Sequence, residues 1–181
     1  MQNIAYKIGF SFFLIALYLI LTRVSHFVAP HGPITGVSWL WLPAFVRLFG
    51  SLVMGLWFIP ILFIMSLISY AEDNSFQGAL LLSLLVSIIV PCAIEITRRA
   101  VGIRKDLAGI TARQLLSVSI VCAAASSITY SAGHMAESTE WYFYKGMESA
   151  FIGNFLGQWC VIYVLKAFSS RRAWCGPIFK A

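Results

Sequence analysis

The stretch "GVSWLWLPAFVRLFG", Gly36 to Gly50, decides how this chain crosses a membrane. It places two tryptophans, a proline and an arginine inside an otherwise apolar run. An arginine in such a run marks a membrane span with a charge in it, a helix lying on the membrane surface, or part of a pocket. Each alternative gives the rest of the chain a different membrane topology, so the surrounding sequence is needed to distinguish them.

The composition is that of a membrane protein. Hydrophobic residues make up 60% of the chain and charged residues 11%, with a mean hydropathy of +0.83. A water-soluble domain needs more charge to cover its surface. The apolar runs are continuous rather than alternating, which predicts a transmembrane α-helical bundle and not a barrel. The net charge of +6 arises beside the ends of these runs, where basic residues meet anionic lipid, so we expect membrane lipid and no nucleic acid as a partner.

The apolar runs predict six spans. The run over 37–70 is too long for one ordinary span, whereas 37–49 alone is short for one. We count it as a short second span followed by a third, so that five runs give six spans. We expect a single integral membrane domain over 1–181 with a short basic cytoplasmic tail over 169–181. One lysine precedes the first run and no small-residue cleavage pattern follows it, which favours a retained span over a signal peptide. The runs cover 8–22, 37–70, 78–96, 115–130 and 150–168.

The orientation of the N-terminal half stays open. With six spans both termini are cytoplasmic, whereas an interfacial helix over 36–50 leaves five spans and an outer N-terminus. Lys7 and Arg23 exchange sides between these models, so the number of inner basic residues is the same.

Side-chain chemistry favours a short second span. Trp39 and Trp41 suit the outer headgroup level, and Arg47 can extend its head group to the inner one. An interfacial helix has a strongly charged face, and this stretch has a single charge. We expect Pro43 to kink this short span.

The last span carries the most informative polar cluster. Ser149, Gly153 and Gly157 recur every four residues and predict a smooth face for close helix packing. Asn154 and Gln158 form a polar stripe beside it, with Glu148 at the outer end. Two interpretations stay open: amide hydrogen bonds that stabilise helix packing, or a ligand pocket bordered by these three polar residues.

Two further patterns indicate structure rather than chemistry. Ser119, Ala123, Ser127 and Ser131 share one helix face and predict tight packing. Glu95 lies one turn before Arg98 and Arg99, which predicts an ion pair near a helix end.

Catalytic and metal motifs are missing from the sequence. No nucleophile elbow, zinc-protease motif or phosphate loop occurs, so we expect no enzyme and no cofactor. His134 and Glu137 are spaced for one helix face, but no second paired motif accompanies them or the loop histidines His26 and His31, so we expect no metal. The four cysteines show no framework spacing.

Two segments resemble a known family. "WLWLPAFVRLFGSLVMGLWFIPILFIMSL" resembles the early W-x-P-A-G and G…W segment of MASE1-type membrane sensory domains, and "FIGNFLGQWCVIYVLKAF" is similar to their closing span. Phe45 stands where the family often has Gly, Asn154 stands where it often has Asp, and the family generally has more spans. The resemblance implies a bacterial signalling module, usually joined to a histidine-kinase or cyclic-di-GMP output domain. Without that domain it implies a stand-alone form with a separate partner.

Together these features predict a non-catalytic sensory or regulatory protein of the bacterial inner membrane. We expect it to bind a small ligand or a partner's transmembrane helix and to act through a separate signalling or membrane protein. The alternatives are a structural accessory subunit of a larger complex and the substrate-binding component of a vitamin-type transporter. The expected contact residues are Asn154, Gln158, Glu148, Arg47, Trp39, Trp41 and Trp159, with Ser149, Gly153 and Gly157 for helix packing.

Overall fold

The computed structural model describes residues 4–28, 39–72, 75–104, 107, 109–134 and 140–174. These residues form six α-helices and one 3₁₀ turn, with no strand among them. The all-helical class predicted from the sequence is confirmed. The elements are α1 (Ile4–Val28), α2 (Ala44–Met54), the 3₁₀ turn (Gly55–Phe58), α3 (Ile59–Tyr70), α4 (Phe76–Ala100), α5 (Ala112–His134) and α6 (Glu140–Trp174).

Five helical stretches within the described residues are long and apolar enough to cross a membrane. Large hydrophobic side chains are exposed on their outer faces, as contact with lipid requires. These stretches support a multi-pass membrane protein. By length and composition the predicted six spans are not confirmed, because α2 and α3 count together as one stretch. The five are Tyr6–Val28, Ala44–Tyr70, Phe76–Ala100, Ala112–Ala132 and Gly146–Ala167.

The stretch from α2 to α3 is folded back on itself. A straight helix would separate residues 47 and 70 by about 35 Å, yet the Tyr70 hydroxyl hydrogen-bonds the Arg47 guanidinium. Gly55 ends α2 with a φ of +59°, a conformation that residues other than glycine rarely adopt. Phe58 then packs against Gly50. The two helices therefore run in opposite directions, and they are only 11 and 12 residues long.

Polar contacts identify the two ends of the bundle. At the end that we call the basic end, the Lys7 ammonium of α1 lies 4.6 Å from the centre of the Trp57 ring in the 3₁₀ turn. Lys7 and Trp57 line a pocket at this end, and Arg98 in the last turn of α4 lines it too. At the opposite end Arg23 of α1 pairs with Glu72 after α3 at 3.3 Å. α2 therefore leads toward the basic end, and α3 leads back.

Local sequence explains where the helices begin. Pro43 lies at the N-cap of α2, so it precedes the helix instead of kinking it as predicted. Proline has no backbone N–H, and at the start of a helix none is needed for the helical hydrogen bonds. The Thr111 backbone N–H donates to the Gln114 side-chain oxygen at 2.9 Å, and the Gln114 N–H donates to the Thr111 hydroxyl at 3.3 Å. This capping box begins α5.

The interior packs α4 between α3 and α5, and α5 against α6. The predicted small-residue face of α5 is buried, because Ser119, Ala123, Ser127 and Ser131 are each at most 3% exposed. The predicted ion pair of Glu95 is also confirmed, with Arg98 at 2.7 Å and Arg99 at 2.8 Å.

Candidate functional site

A buried arginine, Arg47 in the first turn of α2, lies in the interior of the bundle. Arg47 is only 3% exposed and donates to the Tyr18 hydroxyl of α1 at 3.1 Å. The Tyr70 hydroxyl of α3 approaches the same guanidinium. Among the described residues no carboxylate lies within ion-pair distance of Arg47, and its Nε atom has no hydrogen-bond partner. The guanidinium thus lies in the interior, whereas the sequence suggested the inner headgroup level.

The polar surroundings of Arg47 continue onto α5 and α6. The Cys122 thiol lies near the Arg47 guanidinium and against the side chains of Ser126 and Gln158. Gln158 is fully buried, and neither its amide nitrogen nor its amide oxygen has a hydrogen-bond partner of good geometry among the described residues. Five helices therefore contribute to one group of buried side chains. We call it the central polar site: Tyr18, Arg47, Tyr70, Cys122, Ser126 and Gln158.

Unpaired polar atoms in this interior are costly. A buried amide or hydroxyl without a hydrogen bond costs about 1–3 kcal/mol, and an arginine inside a membrane span costs up to about 3 kcal/mol on insertion scales. Buried polar groups in proteins nearly always have partners, so this concentration makes the region around Arg47 the candidate functional site. Serine hydroxyls without a partner among the described residues occur on α2, α3 and α5, at Ser51, Ser66, Ser119, Ser126 and Ser131.

The segment before α2 is docked on the glycine face of α6. The Trp41 backbone N–H donates to the Gly153 carbonyl at 3.0 Å, and a methyl group at Gly157 would overlap the Trp41 carbonyl. The Ser25 hydroxyl of α1 donates to the Leu40 carbonyl. These contacts fix the start of α2 at the end opposite the basic end, and so fix the depth at which Arg47 enters the bundle.

The two amides of the predicted polar stripe have different environments. Asn154 is 6% exposed and donates to the Ala150 carbonyl of its own helix at 2.7 Å, while its side-chain oxygen has no partner in the described structure. Gln158 belongs to the central polar site. The structure therefore places both amides in the interior and brings one of them, Gln158, against Cys122 in the central polar site.

The remaining predicted contact residues are spread over α6 and the docked segment. Glu148 is exposed and Ser149 is half-buried. Trp159 belongs to an aromatic ladder along α6, 6.2 Å from Phe155 between ring centres. Trp39 is 54% exposed, and Trp41 meets the His26 ring edge-on at 5.8 Å. These tryptophans do not join the central polar site.

The sequence did not identify four members of the central polar site, Tyr18, Tyr70, Cys122 and Ser126. Tyr18, Tyr70 and Cys122 stand in ordinary apolar runs, and nothing in their spacing links them to Arg47. The single useful signal was the arginine itself, whose charge requires polar neighbours. Within the described residues no cluster of metal-binding side chains is found, and His31, Glu137 and the His134 side chain lie outside them.

Comparisons with protein-family profiles, with curated proteins and with solved structures found no match for this chain. The central polar site is therefore interpreted from its own geometry.

Replacing Gly157 with alanine tests the docking of the segment before α2. The added methyl group would overlap the Trp41 backbone, which cannot rotate away, so we expect Gly157→Ala to lower the unfolding free energy by about 1–3 kcal/mol. Gly146→Ala is the matched control on the same helix, because a methyl group at that position would meet no neighbouring element within 4 Å. Thermal melting in mild detergent should show a loss only for Gly157→Ala; equal melting temperatures would contradict the docking.

Proposed function

We propose that this chain is a non-catalytic sensory protein of the bacterial inner membrane. It binds a small anionic ligand at the central polar site and acts through a separate partner protein. The resemblance to MASE1-type sensory domains supports the signalling role, and the geometry of Arg47 and Gln158 supports the ligand.

The observation that carries this proposal is the unpaired charge of Arg47. A guanidinium stays protonated under all ordinary conditions. Two tyrosine hydroxyls solvate it in part, but among the described residues no carboxylate neutralises it. An anion bound there would complete the pairing and would also use the free Arg47 Nε and the Gln158 amide nitrogen as donors.

The site favours a small monoanion such as a monocarboxylate. One guanidinium matches one carboxylate, with two parallel N–H···O bonds as the strongest arrangement. A dianion would leave one negative charge buried without a partner in the described part of the site. The Gln158 amide and the tyrosine hydroxyls supply further hydrogen bonds for a polar group on the ligand.

Ligand binding at this position would change how the helices pack. Arg47 and Tyr70 belong to the folded-back pair α2 and α3, whereas Cys122 and Gln158 belong to α5 and α6. An anion between them would hold the two halves of the bundle together. It would thereby stabilise one packing arrangement of the helices over another, and a partner protein can detect such a change. A partner that contacts the lipid-facing surface would respond to that change.

The proposal includes six membrane crossings with both termini in the cytoplasm. α2 and the preceding segment lead toward the basic end, and α3 leads away from it, so the two count as separate crossings. The basic end carries Lys7, Arg98 and Arg99, and basic residues favour the cytoplasmic side.

The two alternative functions have less support. A structural accessory subunit would use the Ser149, Gly153 and Gly157 face for its partner, but the chain's own Trp41 segment covers Gly153 and Gly157. A transporter component would need an energising ATPase, and co-purification of such a complex from native membranes would favour that alternative over a signalling partner.

Removing the charge of Arg47 tests the ligand site. We expect small monocarboxylates, titrated at constant ionic strength, to raise the melting temperature of the wild-type protein in mild detergent, since a ligand at about a hundredfold above its Kd stabilises by about 2.7 kcal/mol. Arg47→Met should abolish the shift. Arg23→Met is the control, because it removes an exposed cation at the same end. A shift that persists in Arg47→Met would place binding elsewhere.

Gln158→Leu separates a binding role from a structural role. The substitution keeps the volume and removes two buried polar atoms that have no hydrogen-bond partner of good geometry in the described structure, so we expect the ligand-free protein to become more stable by about 1 kcal/mol. The same variant should lose the stabilisation by monocarboxylates. If Gln158 instead holds the helices together, the ligand-free melting temperature will fall.

Labelling from the two sides of the membrane tests the six crossings. In a variant without the native cysteines, Trp39→Cys and Trp57→Cys should react with an impermeant thiol reagent from opposite sides, because the segment before α2 and the 3₁₀ turn lie at opposite ends of the bundle. Trp57→Cys should label from the cytoplasmic side. Labelling of both from one side would contradict separate crossings by α2 and α3.

A further inference from the structure

A second polar feature lies at the basic end, away from the central polar site. A pocket of about 350 Å³ opens between the first turns of α1, the 3₁₀ turn and the last turns of α4. The residues that matter for its chemistry are Lys7, Phe10, Trp57, Glu95, Arg98 and Arg99.

The charges of this pocket do not balance. Glu95 is the one carboxylate among the lining residues, and Arg98 engages both of its oxygens at 2.7 and 2.8 Å. Arg98 also donates to the Ile103 carbonyl at 3.2 Å, and its side chain is 8% exposed. Glu95 and Arg98 thus form a closed, structural pair.

Two cations remain available on the open side. Arg99 uses its Nε atom on Glu95 at 2.8 Å, and its side chain is 72% exposed. The Lys7 ammonium rests over the Trp57 ring at 4.6 Å and has no carboxylate within ion-pair distance among the described residues. Three cations and one carboxylate leave two positive charges for an anion to meet.

The apolar walls identify the kind of anion. Trp57 is 69% exposed beside Lys7, and Tyr6 is 64% exposed at the start of α1. From the pocket the outer face of α1 continues with Phe13 and Ile20, both more than half exposed. Exposed aromatic rings at the end of a membrane helix suit the headgroup level, and the apolar face beyond them suits acyl chains.

We propose that this pocket binds the phosphate group of an anionic phospholipid. Lys7 and Arg99 pair with the phosphate, Trp57 packs against the glycerol region, and the acyl chains lie along α1. A zwitterionic lipid carries its own compensating cation, so it brings no net negative charge to the pocket. The site is separate from the central polar site, so this inference does not depend on the proposed sensory function.

Native mass spectrometry of the purified full chain provides the test. The protein is titrated in mild detergent with phosphatidylglycerol or with phosphatidylcholine. We expect phosphatidylglycerol to bind roughly tenfold or more tightly, since each basic residue near a membrane surface adds attraction to anionic lipid. The double variant Lys7→Gln with Arg99→Gln should reduce this preference to about unity.

The control is a second double variant with the same loss of charge. Arg104 and Arg113 are exposed and do not line the pocket, so Arg104→Gln with Arg113→Gln should keep the preference. Equal losses in the two double variants would mean diffuse surface attraction and would overturn the proposal. Displacement of phosphatidylglycerol by an equal concentration of soluble glycerol phosphate would also overturn it, because the pocket would then recognise phosphate without lipid.

Discussion

The buried guanidinium of Arg47 constrains the rest of the structure. A charge that is buried in a membrane bundle needs polar atoms around it, because lipid offers none. Tyr18 and Tyr70 meet it directly, and Cys122 links it to Gln158. A helix that lay on the membrane surface would leave the Arg47 head group in water, and Tyr18, Tyr70 and Cys122 would lose their common neighbour. The arginine therefore ties α2 to the interior.

The position of Arg47 in the bundle follows from one structural feature at each end of α2. Residues 39–43 are not helical, and their docking against Gly153 and Gly157 starts the helix at Ala44. Gly55 then reverses the chain after 11 residues of helix. In one straight helix over this stretch, Arg47 and Tyr70 would lie about 35 Å apart and could not meet. Helix length, glycine positions and the charge therefore agree with one another, as expected of a sequence that specifies one fold.

Much of the scaffold was predictable from the sequence, and the centre of the site was not. Continuous apolar runs predict helices, Glu95 finds Arg98 and Arg99 one turn away, and the small residues of α5 point to a buried face, because each of these features is local or periodic. The destination of Arg47 depends instead on Tyr70, which lies 23 positions along the chain. A long side chain can reach a headgroup or an interior hydroxyl equally well, so only the fold of the chain between them decides.

The two polar features of the chain differ in how their charge is compensated. Glu95 and Arg98 form a pair with good geometry near a helix end, and the pair needs nothing else for its stability. Arg47 and Gln158 lie deeper and retain free hydrogen-bonding atoms in the described structure. A purely structural interior would gain stability if these two residues were apolar, since unpaired polar atoms destabilise it. The proposed anion site would explain why two such residues lie in the interior.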